Sequence, residues 1–489
     1  MKHFAFIALV ALAIGLAGCA VGPNYHRPTV LQNQPLPKTF TEPARGGTNQ
    51  VVWKIAEPSA NLPRGNWWQL FGDSELNHLE TLALTNNQNL VAAAARFEQA
   101  RAMVAEARSE FFPQLNLGGT PGGDINRQRT SVNEPQNGQP AGAPYTYDTF
   151  TAPIYFGWEM DLWGRVRREA QAARARFTAS ADDLQSAKLD VAAEVADDYF
   201  ALRTLDDEYD LVTSTIEDYR RSLELTQNRR RGGIASDLDV SQAETQLHTA
   251  EAQLPDLQLR RAQMLHALAI ICGQSPVDFF VTDNSSAKTI TPNVPASLPS
   301  DLLEHRPDIA AAERRMAAAN AEIGVAKAAF FPAIRINGLA GFQSIDASSW
   351  FNWSSRLWSV GPSIELPIFT GGLNRANLAF AHAAYNETVA DYRQTVLNAF
   401  GEVEDELAAQ HLLTDEWNSE NEAVTSARRT LAIANNRYKD GLVTYLDVAT
   451  AQTDALNYER AAVELQGSRL TASVNLIKAL GCGWEQMGK

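Results

Sequence analysis

The sequence predicts an α+β membrane protein: a duplicated unit of very long helices carrying a few short strands that close a β-barrel only together with strands of further chains. Three observations predict this. Motifs recur in the same order about 210 residues apart, a period too long for a solenoid repeat and suited to a duplicated domain. Two stretches of roughly 67 residues are free of proline and rich in helix formers. Four short segments alternate apolar and polar residues.

The chain opens with an export signal. Lys2 supplies positive charge, and Phe4 to Leu16 is an apolar run too short to span a bilayer but suited to a signal-peptide core. It ends in Leu16-Ala17-Gly18-Cys19, the pattern of a bacterial lipobox, in which small residues admit the peptidase and the cysteine thiol takes diacylglycerol. Residues 1–18 are therefore expected to be removed. Cys19 is expected to carry S-diacylglycerol and an N-acyl chain, with no other cofactor. Residues 19–72 are proline-rich and read as extended chain rather than a domain.

Beyond the signal no apolar run is long enough for a transmembrane helix. The net charge of −15 argues against nucleic acid as a partner, because a polyanion is repelled. Of three cysteines, Cys272 and Cys482 remain after Cys19; they occupy equivalent places in the two copies and are predicted not to pair.

The first copy spans 73–272 and the second 301–482, joined by a proline-rich linker over 273–300 and followed by a tail over 483–489. In each copy an alanine-rich helix ends in Phe-Phe-Pro, at 111–113 and 330–332, and alternating residues follow. The first helix is expected from Ser74 to Phe112. The long helices then run from about Gly164 to Arg231 and from about Gly372 to Arg437, each spanning about 100 Å at the helical rise. Returning helices follow, from about Ser236 to Ile271 and from Leu442 to Leu480, and Asp301 to Phe330 extends the return path. Alanine runs such as 92–95 and 317–319 fit either close helix approach or simple helix propensity. Asp197-Asp198 and Glu402 with Glu404 read as solvated faces.

The alternating segments are Gln114–Leu117, Phe150–Met160, Ile334–Asn337 and Trp358–Leu366, with loops expected over Gly118–Thr149 and Ser344–Ser355. One apolar and one polar face suits a membrane barrel, and aromatic residues at the ends suit its interfacial girdle; a half-buried soluble sheet is the other reading. Four strands leave two open edges, which hydrocarbon does not permit, and the smallest bacterial barrels have about eight strands. Several chains must then share one barrel.

The chain resembles the TolC-like outer-membrane factors of Gram-negative tripartite pumps, in their NodT-type lipoprotein branch. The resemblance rests on Gly18-Cys19-Ala20-Val21-Gly22-Pro23-Asn24-Tyr25, on the run from Trp68 to Leu76, on Asp161-Leu162-Trp163-Gly164-Arg165, and on Leu302 to Ile309, and covers nearly the whole mature chain. It implies a homotrimer with a twelve-stranded outer-membrane barrel, four strands per chain, continued by a periplasmic α-helical barrel. It further implies a periplasmic adaptor and an inner-membrane transporter, most simply of the RND type, as partners in passive export of drugs or other small molecules. Ala20 lacks the aspartate that would retain a lipoprotein in the inner membrane. The resemblance makes the helical turns Arg231-Gly232-Gly233 and Lys439-Asp440-Gly441 the adaptor-docking end. It makes Leu446, Asp447, Thr450 and Asp454 a periplasmic gate, although relatives usually carry aspartate where Thr450 stands. Asp447 read as a helix cap is the competing account, with Thr444 the better cap residue.

An enzyme is not expected: no phosphate loop, zinc-helix motif or hydrolase elbow occurs, and the eight histidines are scattered. A type I protein-secretion conduit differs only in cargo and partner. A periplasmic scaffold lipoprotein would have no barrel strands and no conductance.

Overall fold

The computed structural model describes residues 20–30, 65–118, 126–132, 145–282 and 305–481. Cys19, Cys482 and the signal peptide lie outside them, as does most of the linker. Two compact units emerge, one from Met1–Pro28, Phe97–Ser180 and Ala312–Tyr392, the other from Thr29–Arg96, Ala181–Ala311 and Arg393–Lys489. Each draws on both predicted copies, because the long helices belong to one unit at their start and to the other at their end.

The first unit holds all the described strands: β1 (Gln114–Leu117), β2 (Asn126–Val132), β3 (Tyr145–Glu159), β4 (Ala333–Ser344) and β5 (Arg356–Glu365). All pairings are antiparallel. β1 and β2 lie end to end along β3, opposite its second and first halves, so the sheet is four strands wide. The loop expected over Gly118–Thr149 is therefore corrected: it contains β2 and the start of β3. Its polar run Asn126-Arg127-Gln128-Arg129-Thr130 hides the strand from a hydrophobicity pattern, and only pairing to β3 reveals it.

The long helices form as expected: α3 (Arg165–Arg231) and α7 (Leu373–Lys439), each of 67 residues. The other described helices are α1 (Ser74–Asn86), α2 (Gln88–Ser109), α4 (Asp237–Glu251), α5 (Gln253–Ile271), α6 (Pro307–Ala328) and α8 (Tyr445–Ala479). Two helices expected to be continuous are broken. Asn87 adopts an extended backbone between α1 and α2; its side chain accepts from Leu90 N–H at 3.1 Å and donates to the Ile271 carbonyl at 2.8 Å. Between α4 and α5 the cause is Pro255, which has no N–H for the carbonyl four residues back and crowds it. α8, without a proline, runs unbroken.

The alanines divide between the two readings. Ala172, Ala318 and Ala321 pack together in the first unit, whereas Ala92, Ala94 and Ala95 are exposed. In the second unit a core gathers Trp67, Trp68, Phe71, Leu76, Leu79, Tyr199, Phe200 and Leu268. Cys272 is buried within it as a free thiol, and burial pushes its pKa up to about 12. Maleimide should therefore leave Cys272 unlabelled in the folded protein and label it after denaturation. Rapid labelling of the native protein would contradict this packing.

Candidate functional site

Sheet geometry separates two chemistries. Paired residues in an antiparallel sheet share a face, and alternate residues change face. Leu115 and Leu117 pair with Phe156 and Ile154. Ile154 pairs in turn with Ala340, and Ala340 with Trp358. This face continues through Val360 and Ile364, and its large side chains are open: Leu115 is 69 % exposed, Trp358 74 % and Ile364 68 %. The other face carries Gln114, Asn116, Glu159, Arg335, Asn337, Ser359 and Ser363, with Asn337 donating to Ser363 Oγ at 2.7 Å. An open apolar face backed by a polar one is what a sheet between lipid and water requires. Both outer strands, β1 with β2 on one side and β5 on the other, lack a further partner among the described residues.

Where strands meet helices, the Asp161-Leu162-Trp163-Gly164-Arg165 motif builds the joint. The Asp161 carboxylate accepts from the Val166 and Arg167 N–H groups and caps α3. Trp163 stacks on Phe331 with centroids 4.8 Å apart and donates to the Pro332 carbonyl at 2.8 Å. Arg165 bridges Glu159 at 2.8 Å and Glu110 at 2.6 Å. The start of the described chain is threaded here as well. Val21 N–H donates to the Trp163 carbonyl at 2.9 Å, Arg168 reaches Asn24 Oδ1 at 3.2 Å, and Tyr25 donates to Glu313 at 3.1 Å. Gly22, at φ +104°, sits so close to Gly324 that a Cβ on it would lie 2.5 Å from the Gly324 Cα.

The two helical turns, both in the second unit, have one geometry. Gly233 and Gly441 take positive φ, 72° and 75°. After α3, Gly233 N–H bonds the Arg230 carbonyl and Ile234 N–H that of Arg229; after α7, Gly441 bonds Tyr438 and Leu442 bonds Arg437. These are two copies of the Schellman ending, which needs the left-handed residue that glycine supplies. Arg231, Gly232, Lys439 and Asp440 complete the last turns. Arg229 ties the two together, donating to the Lys439 carbonyl at 2.7 Å with its guanidinium 4.9 Å from the Tyr438 ring centre.

Of the predicted gate residues, Leu446, Asp447, Thr450 and Asp454 all lie on the exposed face of α8. Opposite them Tyr445 and Val448 are fully buried with Tyr438 and Ala243. Asp447 does cap the helix: its carboxylate accepts from the Thr444 N–H at 3.0 Å and hydroxyl at 2.8 Å. Ser236 and Asp239 form the same box at the start of α4. Thr450 turns inward to its own helix, its hydroxyl donating to the Leu446 carbonyl.

A family model described as outer membrane efflux protein matches residues 79–274 and 298–482. The chain belongs to this family. The toluene efflux pump outer membrane protein TtgF of Pseudomonas putida is 33% identical over 491 residues, covering 98% of this chain and 97% of that protein. The cation efflux system protein CusC of Escherichia coli is 30% identical over 476 residues, covering 97% and 98%. Among solved structures, the outer-membrane channel OprN superposes with a TM-score of 0.82 at 29% identity, over 95% of this chain and all of that one. The protein is thus an outer-membrane channel of an efflux pump, in a family of ducts rather than enzymes.

Within this efflux protein, three charged features carry structure that motif reading alone did not assign. Arg306, in the motif from Leu302 to Ile309, is buried: it grips Asp308 with two nitrogens, meets Glu402 at 2.5 Å and donates to the Ala479 carbonyl at 3.1 Å. Asp73 caps α1 and accepts from the Tyr199 hydroxyl at 2.6 Å. Asp197 and Asp198, expected on a solvated face, are half-buried, and burial pushes their carboxyls up to about 7 and about 6. Glu402, expected to be solvated, is exposed but ion-paired.

Proposed function

We propose that three copies of this chain close one twelve-stranded barrel through the outer membrane and continue it as a helical barrel in the periplasm, with the internal two-fold repeat supplying alternate helical columns. The carrying observation is the sheet four strands wide, with both edges unpaired among the described residues and one apolar face exposed. Backbone edges cannot remain unpaired in hydrocarbon, so strands from other copies must meet them. Native mass spectrometry of the detergent-extracted protein should read three copies, and that species should conduct ions in planar bilayers. A monomer that does not conduct overturns the proposal.

The channel is passive. A periplasmic adaptor docks at the turns Arg231-Gly232-Gly233 and Lys439-Asp440-Gly441, and an inner-membrane transporter of the RND type supplies the energy. The cargo is small molecules. Relatives named for toluene and for cations resemble this chain about equally, which favours cargo selection by the transporter rather than the duct.

Cys19 carries the lipid. Ala20 lies against Gly164 at the joint between β3 and α3, close enough that a Cβ on Gly164 would come within 2.8 Å of the Ala20 Cα. The lipid would then enter the bilayer beside the barrel that already holds the protein there. The intact mass of the mature protein is expected to start at Cys19 with three acyl chains, and a chain cleaved elsewhere without lipid would refute this.

At the gate, three copies of Asp447 and Asp454 would ring the opening with negative charge, as in cation-selective pores. Asp447→Ala should weaken cation selectivity or divalent block, while loss of the cap costs about 1 kcal/mol. Asp239→Ala removes the equivalent cap from α4 and calibrates that cost. Unchanged selectivity, block and conductance in Asp447→Ala would leave the residue a cap alone.

A further inference from the structure

The apolar face of the sheet does not stay apolar to its end. Arg356 pairs with Phe342 across β4 and stands two residues before Trp358, so it shares the face of Trp358, Val360 and Ile364. At the other edge of the sheet Arg127 pairs with Phe150 and Arg129 with Asp148, and Phe150 leads along the same face to Ile154. Arg356 opens β5 after the β4–β5 hairpin, Arg127 lies level with that hairpin because its partner Phe150 pairs with Ser344, and Arg129 stands two residues further toward the tip of the β2–β3 hairpin. The opposite strand ends, at Gln114, Glu159, Ala333 and Glu365, are the ones that join helices.

We propose that these arginines form a binding site for the phosphorylated headgroup of a glycolipid in the outer leaflet, with Arg127, Arg129 and Arg356 as its anion-binding groups. The proposal rests on the reading of the sheet as part of an outer-membrane barrel.

A guanidinium on a lipid-facing surface is costly unless it reaches an interfacial anion. The protein itself supplies little compensation. Arg127 and Arg129 share one carboxylate, Asp148, at 2.5 and 3.3 Å. Arg356 has no carboxylate partner among the described residues: one nitrogen donates to the Trp353 carbonyl at 2.7 Å, and the guanidinium lies 4.5 Å from the Trp353 ring centre. Of its five N–H donors most are left to point outward. Among the described residues at this end the carboxylates are Asp148 and Asp346, the latter capping a turn of the β4–β5 hairpin by accepting from Ser348 N–H at 3.0 Å. Three guanidinium groups against these two leave a net positive charge, and the planar arginine fork matches phosphate oxygens two at a time.

The surroundings favour a lipid over a free anion. Exposed Phe351, Trp353 and Trp358 flank Arg356 as an interfacial aromatic girdle. Below them the open side chains of Val360 and Ile364 offer the surface along which acyl chains would lie. A basic rim above an apolar band recognises an anionic headgroup and its chains together.

The test uses the full-length channel in detergent, titrated with bis-phosphorylated lipid A and with its dephosphorylated form, with bound lipid counted by native mass spectrometry. The wild type is expected to bind the phosphorylated form about ten-fold more tightly. The triple variant Arg127→Gln, Arg129→Gln, Arg356→Gln should lose that preference. Arg335→Gln, on the opposite face, should keep it. If the triple variant fails to assemble, Arg356→Gln alone should still lower the preference about three-fold. Equal preference in the wild type and the arginine variants overturns the proposal. Displacement of the lipid by millimolar inorganic phosphate overturns it in favour of a free-anion site. Failure of the wild type to conduct in planar bilayers would instead sink the barrel reading beneath it; a conducting channel with no phosphate preference sinks only the rim site.

Discussion

Replacing Asp73 with alanine is expected to destabilise the protein by about 3 kcal/mol. Asp73 is almost wholly buried and serves two partners at once. One oxygen accepts from the Glu75 and Leu76 N–H groups at the start of α1, at 2.8 and 3.2 Å. Losing such a cap costs about 1 to 2 kcal/mol. The other oxygen receives the Tyr199 hydroxyl at 2.6 Å, and Tyr199 itself is fully buried. Stranding that hydroxyl without an acceptor costs a further 1 to 3 kcal/mol or so. Arg203 softens the loss only in part, since its Nε donates to the same phenol oxygen at 3.0 Å and leaves the hydroxyl proton unmatched. The readout is the half-life of the folded protein in denaturing detergent at fixed temperature, the operational measure for a large membrane protein whose unfolding is irreversible. Asp73→Asn, which keeps an acceptor for the cap, should be milder. An alanine variant as long-lived as the wild type would mean that the pair contributes nothing.

Glu80→Gln is expected to stabilise the protein increasingly as pH rises. Glu80 has no exposed surface, and neither carboxyl oxygen finds a hydrogen-bond partner among the described residues. Burial pushes its pKa from 4.5 up to about 9. The folded state therefore holds a proton that the unfolded chain has released above pH 4.5. Stability falls as pH climbs through that window, by at most about 1.4 kcal/mol per unit, and levels off above pH 9. Below pH 4.5 both states are protonated and the residue contributes no slope. Glutamine keeps the shape without a titrating group, so the variant should gain on the wild type by a few kcal/mol between pH 5 and 9. Asp197 and Asp198, also raised by burial, titrate in both proteins, so the difference between the two stability curves isolates Glu80. Parallel curves across this range would show that Glu80 is solvated or paired in the assembled channel.

Much of the architecture was legible in the chain because it depends on local periodicity. The two 67-residue helices follow from long runs of helix formers without proline, and their ends from Gly233 and Gly441, where only a left-handed residue closes the turn. Alternation located four of the five strand segments, matched the bounds of β1 and misjudged the lengths of the other three, and it missed β2, whose residues are polar on both faces up to Ser131. One helix break was also visible in principle: Pro255 stands inside the segment first read as a single helix. The break at Asn87 was not, because asparagine only mildly disfavours helix and does not by itself end one, and what holds it is a carbonyl from Ile271 far along the chain.

The remaining features come from meetings between residues distant in sequence. Asp73 is an ordinary cap residue until Tyr199 is placed against it, and Glu80 is one carboxylate among many until the core closes over it. Arg127 and Arg356 are separated by more than a domain's length of chain, yet strand register sets both on the apolar face. A register slip of one residue would send them to the other side. Helix length and turn chemistry are properties of neighbouring residues and their backbone sterics, so the amino-acid order alone determined them. Burial, register and the pairing of charges depend on which surfaces meet, and those were decided only when the tertiary structure brought the segments together.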